Sequence, residues 1–215
     1  MQIPADTDAV LSVRNVTRRF GERVVLSDLD LEVAAGERVA LRGANGTGKT
    51  TLLRCIAGTL EVSSGTIRVA GHPAGSLDAR RSIGLSLSQE RSFYMRLTGA
   101  ENLRVFAGVR GLSRRAATSR VVELIEELGL AEIAAQRCDR CSSGQLQQLA
   151  LARALIHEPV LLLVDEPTRS LDTAARERFW AAVERRPSAA VVCATHLPED
   201  LDRLTRHLSL DPELP

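Results

Sequence analysis

The segment at residues 43–50, Gly-Ala-Asn-Gly-Thr-Gly-Lys-Thr, constrains the fold of this 215-residue chain more than any other feature. It matches the pattern G-x-x-x-x-G-K-[ST] and lies between a predicted short strand at 37–41 and a predicted helix at about 50–57, the context that the pattern requires. Glycines let consecutive backbone N–H groups surround phosphate oxygens, and the N-terminus of the following helix adds partial positive charge. The segment, named the phosphate loop below, therefore predicts nucleotide binding.

The last residues of the phosphate loop have predicted roles of their own. Lys49, the single lysine among 28 basic residues, is expected to contact the outer phosphates of ATP, and the Thr50 hydroxyl is expected to bind Mg²⁺. A glycine-rich turn without a ligand is the alternative, but a chance match is expected in about one of a thousand chains of this composition. The candidate nucleotide-binding residues here are Gly43, Ala44, Asn45, Gly46, Thr47, Gly48, Lys49, Thr50 and Thr51.

Two acidic residues follow an apolar run at 160–164. Because a strand that is apolar at every position is typical of the centre of a parallel sheet, Asp165 and Glu166 are expected at the carboxyl edge of that sheet, where ligands bind. Asp165 is suited to hold Mg²⁺, directly or through water, and Glu166 to act as general base toward an attacking water. Solvated turn acids are the alternative, and a P-loop kinase would share both motifs, so the reaction stays open at this point.

The remaining pattern predicts an α/β chain. Alternating apolar residues at 10–34, with a turn at 20–22, predict an antiparallel β layer. Residues 101–130 contain the i, i+3, i+4, i+7 apolar spacing of helices. Three later elements, a helix at 147–156, a helix at 173–184 and a strand at 189–194, restore the alternation of helix and strand.

Charge and hydropathy exclude several classes of protein. The chain has 28 basic and 27 acidic residues, mixed along its length, so no nucleic-acid partner is expected. Its apolar runs, such as 160–164, are far short of the roughly 20 residues that span a bilayer, so a membrane role is expected to come through a partner. The first residues lack the basic start and apolar core of a signal peptide, which predicts a cytoplasmic location.

A third motif lies at residues 141–145, Cys-Ser-Ser-Gly-Gln, shortly before the acid pair. Taken alone, a Ser/Gly turn at a helix N-terminus is only a helix cap. In this position, however, it resembles the L-S-G-G-Q signature of ABC ATPases, and we call it the signature turn. Further segments stand in order where that family has its remaining motifs: Phe20, Gln89, Ser170-Leu171-Asp172 and Ala194-Thr195-His196. The resemblance covers nearly the whole chain.

The resemblance implies a fold and a division of the chain. The fold is a P-loop NTPase α/β core with a mixed or parallel sheet, an N-terminal antiparallel β layer and an inserted helical subdomain. The chain is expected to be a single ABC ATPase domain over 1–215. Residues 1–88 and 144–215 would form its nucleotide-binding core, and residues 89–143 the helical subdomain.

The resemblance also implies a head-to-tail dimer, homo- or heteromeric, in which each ATP lies between the phosphate loop of one subunit and the signature turn of the other. The residues that would serve the partner's nucleotide are Ser142, Gly144 and Gln145. The other implied roles are adenine stacking for Phe20, sensing of metal and water for Gln89, contact with the γ-phosphate for His196 and communication between the two sites for Asp172. One subunit alone is expected to hydrolyse ATP poorly.

The chain departs from the family pattern at three positions. Cys141 replaces the usual Leu and is expected as a small buried apolar residue. Ser143 and Ser170 replace glycines, and Ser143 is expected to weaken affinity across the dimer. None of these changes removes a charged catalytic group. Cys138 and Cys141 also form a C-x-x-C pair, but a zinc or redox site is disfavoured because no second pair or nearby histidine completes a zinc site.

Phe93, Tyr94 and Met95 are expected either to line a groove for a short helix of a membrane permease or to belong to the subdomain core. This stretch resembles ATPases that pair with separate exporter permeases, and the sequence ends soon after His196, so export is favoured over import. The protein is then expected at the inner face of the cell membrane, bound to the permease. A soluble ABC ATPase that acts on a macromolecular complex is the alternative.

Overall fold

The computed structural model describes residues 9–87 and 92–211. The strands are β1 Ala9–Phe20, β2 Arg23–Ala34, β3 Arg38–Arg42, β4 Ser64–Val69, β5 His72–Pro73, β6 Ile83–Ser86, β7 Leu161–Asp165, β8 Ala190–Ala194 and β9 Arg206–Ser209. The helices are α1 Lys49–Ile56, α2 Leu77–Ser82, α3 Gly99–Val109, α4 Arg114–Glu127, α5 Ala131–Ala135, α6 Ser143–Leu155, α7 Thr173–Glu184 and α8 Pro198–Leu201, with a 3-10 turn at Cys138–Arg140.

The strands form two sheets. The first is antiparallel, in the order β2-β1-β4-β5, and begins with a hairpin whose turn includes Gly21 at φ 58°. The second is parallel, in the order β6-β7-β8-β3-β9. The predicted α/β organisation, with an N-terminal antiparallel layer and a parallel sheet, is confirmed.

Strands β7 and β8 lie at the centre of the molecule, and every residue in them is buried. Successive side chains of β7 point to opposite faces of the sheet. Leu162 and Val164 belong to a core shared with the helices α3 to α7, whereas Leu161 and Leu163 belong to a core shared with α1 and the antiparallel sheet. A strand covered on both faces has no polar positions before its end, which explains the uninterrupted apolar run.

Two helices, α3 and α4, occupy the region predicted as helical at 101–130. They are separated because Gly111 adopts φ 92° and Ser113 caps the start of α4. Leu103 and Leu124 are fully buried in the core that also holds Leu149 of α6. The division of the chain into a core and a helical subdomain at 89–143 stays a prediction.

Some elements differ from the sequence-based expectation. Helix α6 begins at Ser143 rather than at 147, and β7 begins at Leu161, with Val160 41% exposed. The stretch from β4 to β6 and the strand β9 had no prediction. Among residues 9–87 and 92–211, no helix combines the length and apolar character needed to cross a membrane.

Candidate functional site

The phosphate loop connects β3 to α1 through glycines in left-handed conformations. Gly43, Gly46 and Gly48 have φ values of 140°, 86° and 102°. A Cβ atom on Gly48 would lie 2.8 Å from Leu26 Cδ2 and 3.0 Å from the Val25 carbonyl oxygen, so both backbone conformation and space require glycine there. The loop therefore keeps its shape because it packs against strand β2.

The Lys49 ammonium group lies over the phosphate loop. Its Nζ donates hydrogen bonds to the carbonyl oxygens of Gly43, at 2.6 Å, and Ala44, at 2.9 Å. The Ala44 N–H donates to Asp211 Oδ1 at 2.8 Å. The predicted cationic side chain is thus held at the loop that it is expected to serve, and Asp211 adds an anchor that the sequence did not indicate.

Thr50 and Asp165 meet although 115 positions separate them. Thr50 Oγ1 donates to Asp165 Oδ2 at 2.7 Å, and Asp165 is only 4% exposed. Hydroxyl and carboxylate oxygens suit Mg²⁺. Within the described ranges no cluster of three or more His, Cys, Asp or Glu residues could hold a metal ion. These oxygens therefore fit a Mg²⁺ ion that completes its shell with phosphate and water oxygens.

Glu166 and His196 form the second polar pair. His196 Nδ1 lies 2.6 Å from Glu166 Oε1, and the histidine side chain is 63% exposed. Glu166 adopts φ 47°, a strained conformation for a residue with a side chain, and its N–H donates to the Ala194 carbonyl at 2.7 Å. Its Oε2 is buried and has no hydrogen-bond partner within the part of the chain that the structure describes. The described residues thus leave one carboxylate oxygen of Glu166 unsatisfied.

These groups line one cleft of about 530 Å³, which we call the nucleotide cleft. Its lining residues are Phe20, Arg23, Val25, Asn45, Gly46, Gly48, Lys49, Thr50, Thr51, Asp165, Glu166, Arg169 and His196. The Phe20 ring is 48% exposed, with the Arg18 guanidinium carbon 4.3 Å from its centroid. Sequence reasoning missed Arg23, Val25 and Arg169. Arg169 could have been noticed as a basic residue three positions after Glu166, but nothing in the sequence marks Arg23 or Val25.

The signature turn does not contribute to the lining of the nucleotide cleft. Ser142 and Gln145 form a capping box at the start of α6: the Gln145 N–H donates to Ser142 Oγ at 3.2 Å, and the Ser142 N–H donates to Gln145 Oε1 at 2.8 Å. A Cβ on Gly144 would lie 2.6 Å from the Ser170 carbonyl oxygen. The interpretation of this motif as a helix cap is therefore confirmed, and its role toward a partner's nucleotide stays a prediction.

Two other sequence expectations concern single residues. Gln89 lies outside the described residues, so its predicted role in sensing metal and water stays a prediction. Asp172 caps α7, where its Oδ1 accepts from the Ala175 N–H at 2.7 Å. Its expected role between two sites requires a second subunit and also stays a prediction.

The cysteine pair is free of disulfide bonds. Cys138 is fully buried and accepts a hydrogen bond from Asn102 Nδ2 at 3.3 Å. Burial raises the pKa of the Cys138 thiol to about 11, which disfavours the thiolate that metals and oxidants need. Cys141 is half-buried rather than fully buried, a partial departure from expectation.

Residues 93–95 were expected either in the subdomain core or on a groove for a permease helix, and the structure separates them. Phe93 is buried and packs edge-on against Phe106, with ring centroids 6.1 Å apart. Tyr94 and Met95 are 57% and 44% exposed. One residue therefore belongs to the core, and two present apolar surface to solvent.

The chain is similar in sequence to known ABC transporter proteins. The family model described as ABC transporter matches residues 26–169. The chain is 38% identical over 204 residues to the Nod factor export ATP-binding protein I of Cupriavidus metallidurans, a match that spans 93% of this chain and 67% of that protein. With two further relatives the chain spans 64% and 65% of their length, so it covers about two thirds of several curated relatives.

Solved structures of ABC ATP-binding proteins also resemble this chain. A dimeric ATP-binding cassette in a post-hydrolysis state with ADP and Pi has a TM-score of 0.83 and 25% identity, and covers 95% of this chain and 97% of that one. The protein cbiO1 of Clostridium perfringens, part of the ABC transporter complex cbiONQ, has a TM-score of 0.74 and 25% identity, over 89% and 80% of the two chains. The P-loop NTPase fold expected from the sequence is confirmed.

Proposed function

This chain belongs to the ABC transporter family as an ATP-binding, ATP-hydrolysing domain, and from that premise we propose that it drives export through a separate membrane permease. The observation that carries the ATPase part of the proposal is the nucleotide cleft, where Lys49, the Thr50–Asp165 contact and the Glu166–His196 contact line one space. Export is supported by similarity to a Nod factor export protein, and a separate partner by similarity to a subunit of a transporter complex. The chain would then lie at the cytoplasmic face of the membrane.

ATP binding uses the phosphate loop and its neighbours. Backbone N–H groups at the N-terminus of α1 and the Lys49 ammonium would bind the phosphates, with Phe20 stacking on the adenine. Thr50 and Asp165 would hold Mg²⁺, which neutralises charge on the β- and γ-phosphates. Lys49 must then exchange its present acceptors, the Gly43 and Ala44 carbonyls, for phosphate oxygens.

Hydrolysis uses the Glu166–His196 pair. Glu166 Oε2 has no hydrogen-bond partner among the described residues, so it can accept a proton from a water that attacks the γ-phosphate. With protons on both ring nitrogens, the His196 ring would donate from Nδ1 to Glu166 Oε1 and from Nε2 to the γ-phosphate. The contact holds the carboxylate in the lining of the nucleotide cleft.

The signature turn supports a dimeric mechanism. Ser142, Gly144 and Gln145 do not line the nucleotide cleft of their own chain, and a similar ATP-binding cassette was solved as a dimer. In a head-to-tail dimer the N-terminus of α6 would meet the partner's nucleotide, where the helix dipole and the Ser142 hydroxyl would bind the γ-phosphate. Turnover then requires two subunits.

The experiment that tests hydrolysis uses Glu166→Gln, which keeps size and hydrogen bonding but removes the base. ATP turnover is expected to fall by roughly 10²- to 10⁴-fold, the usual contribution of a general base, while ATP still binds. Glu126→Gln, at an exposed position on α4, is the control and should retain wild-type turnover. Unchanged turnover in Glu166→Gln would refute the assignment of the base.

The experiment that tests transport is purification of the tagged chain from detergent-solubilised membranes of its own cells, followed by mass spectrometry. A polytopic membrane protein in about equal amount supports a transporter motor and identifies the permease. Recovery with a soluble macromolecular complex and without a membrane protein would support the alternative, a non-transport ABC ATPase. Transport would then be withdrawn, and the ATPase assignment would stand.

A further inference from the structure

A buried carboxylate outside the nucleotide cleft connects three segments of the chain. Asp200, at the end of α8, is 0% exposed. It accepts a hydrogen bond from Trp180 Nε1 at 2.8 Å, and Thr168 Oγ1 lies 2.8 Å and 2.7 Å from its two oxygens. Thr195 Oγ1 lies 3.3 Å from Oδ2. Within 9–87 and 92–211 no basic side chain forms an ion pair with Asp200, so hydroxyl and indole donors alone satisfy it.

Two of these donors are neighbours of the proposed catalytic pair. Thr168 lies two residues after Glu166, and Thr195 immediately precedes His196. Both threonines are buried, at 1% and 3% exposure. The catalytic side chains have weaker anchors of their own, because the His196 side chain is largely exposed and Glu166 has a strained backbone. Asp200 thus ties the two loops that carry Glu166 and His196 to one fixed point on α7.

We infer that Asp200 is a positioning residue for ATP hydrolysis, acting through Thr168 and Thr195 on the Glu166–His196 contact; this rests on the proposed function. A buried carboxylate is stable only while its donors remain in place, so the three segments hold one mutual arrangement. A small displacement of either loop would change the 2.6 Å contact between Glu166 and His196. Nucleotide binding should depend little on Asp200, because none of the residues that contact it through side chains lines the nucleotide cleft.

The first test is Asp200→Asn, which keeps the shape but places an amide donor among hydroxyl and indole donors. In the full chain, kcat is expected to fall by roughly 10- to 100-fold, the effect of about 1 Å of misplacement, with KM for ATP changed less than about three-fold. Trp180 is the only tryptophan, so its emission reports directly on loss of its partner. Equal loss in kcat and ATP affinity would overturn the inference.

A second series stays informative if Asp200→Asn does not fold. Thr195→Val removes the hydroxyl near His196, Thr195→Ser restores it, and Trp180→Phe removes the indole donor on α7 together with part of the buried ring. We expect kcat to fall roughly ten-fold in Thr195→Val, to recover in Thr195→Ser and to change less than about three-fold in Trp180→Phe. Equal effects of Thr195→Val and Trp180→Phe would mean that the cluster has only a structural role.

Double variants separate failure of this inference from failure of the proposed function. If Asp200 acts through Glu166, then Asp200→Asn should change turnover by less than about three-fold in a Glu166→Gln background, because groups that act as a unit are non-additive. If the loss of turnover in the double variant equalled the product of the losses in the two single variants, the inference about Asp200 would be overturned. The assignment of Glu166 as the base would stand. A Glu166→Gln variant with wild-type turnover would refute the proposed mechanism itself.

Discussion

The phosphate loop and the signature turn are both glycine-containing turns at the N-terminus of a helix, but their surroundings differ. The phosphate loop lies among Phe20, Asp165 and His196 in a cleft of its own chain. The signature turn satisfies its own polar groups through a capping box and does not line that cleft. One turn therefore belongs to a cleft formed within its own chain, whereas the other would act on a nucleotide only in the proposed dimer.

The comparison predicts that the phosphate loop controls binding in a single chain. Lys49→Ala should weaken ATP binding by roughly 10- to 100-fold, because a hydrogen bond to a charged group contributes about 1.5–3 kcal/mol. Arg54→Ala, at an exposed position on the same helix, should bind ATP as the wild type does. Titration calorimetry with Mg-ATP measures both. Wild-type affinity in Lys49→Ala would contradict the assignment of the phosphate loop.

The signature turn is expected to be more sensitive to an added methyl group than a solvent-facing helix position. Gly144→Ala should lower the free energy of unfolding by about 1–3 kcal/mol, since the new Cβ would lie 2.6 Å from the Ser170 carbonyl oxygen. Gly108→Ala is the matched variant in α3, where no atom lies within 4 Å of the new Cβ. It should stabilise the protein by about 0.5–1 kcal/mol. Urea unfolding measures both changes. If both substitutions changed the free energy of unfolding in the same direction, this view of Gly144 would be contradicted.

Ser142→Ala separates capping from catalysis. Ser113 is a matched control because it caps α4 through an equivalent bond, with its Oγ 3.3 Å from the Ala116 N–H. Each alanine variant should lose about 1 kcal/mol of stability from the cap. Only Ser142→Ala should also lose turnover, by roughly ten-fold, the effect of one hydrogen bond. Equal turnover in the two variants would mean that Ser142 is a cap and nothing more.

The smallest predicted effect concerns the other end of the signature helix. His157 follows α6, and its Nε2 lies 3.0 Å from the Ile83 carbonyl oxygen. Burial, with a smaller contribution from the Arg110 charge, lowers the pKa of His157 from 6.5 to about 4. The unfolded chain therefore binds a proton first as the pH falls. Stability that is present above pH 6.5 should be lost progressively between pH 6.5 and about 4.

His157→Gln tests this dependence because an amide N–H can still donate to Ile83. The decline in unfolding free energy over that pH range should be shallower in the variant by at most about 1.4 kcal/mol per pH unit, the value for one proton. His72→Gln, at an exposed position, should leave the decline as in the wild type. Identical slopes for His157→Gln and wild type would show that His157 does not titrate between the two states.

Prediction from the sequence was most successful where local pattern determines structure. The helix α7 was predicted with its observed bounds, and the hairpin of β1 and β2 follows from alternation and a glycine turn. The stretch from β4 to β6 was missed because its short elements are stabilised by pairing with β1 and β7, distant in sequence. Of the site, the sequence indicated Lys49, Asp165 and Glu166 but neither Asp211 at the phosphate loop nor Asp200 behind the Glu166–His196 pair.

Three chemical features of this protein can be recognised without its structure: a glycine loop with one lysine, an acid pair after a buried strand, and the ordered motifs of an ABC ATPase. These features are local, so their spacing alone is informative. Which groups meet depends on the fold, because contacts such as Thr50 with Asp165 and Ala44 with Asp211 join residues 115 and 167 positions apart. Strand order sets such contacts, and strand order depends on long-range burial of both faces of the sheet rather than on any local pattern.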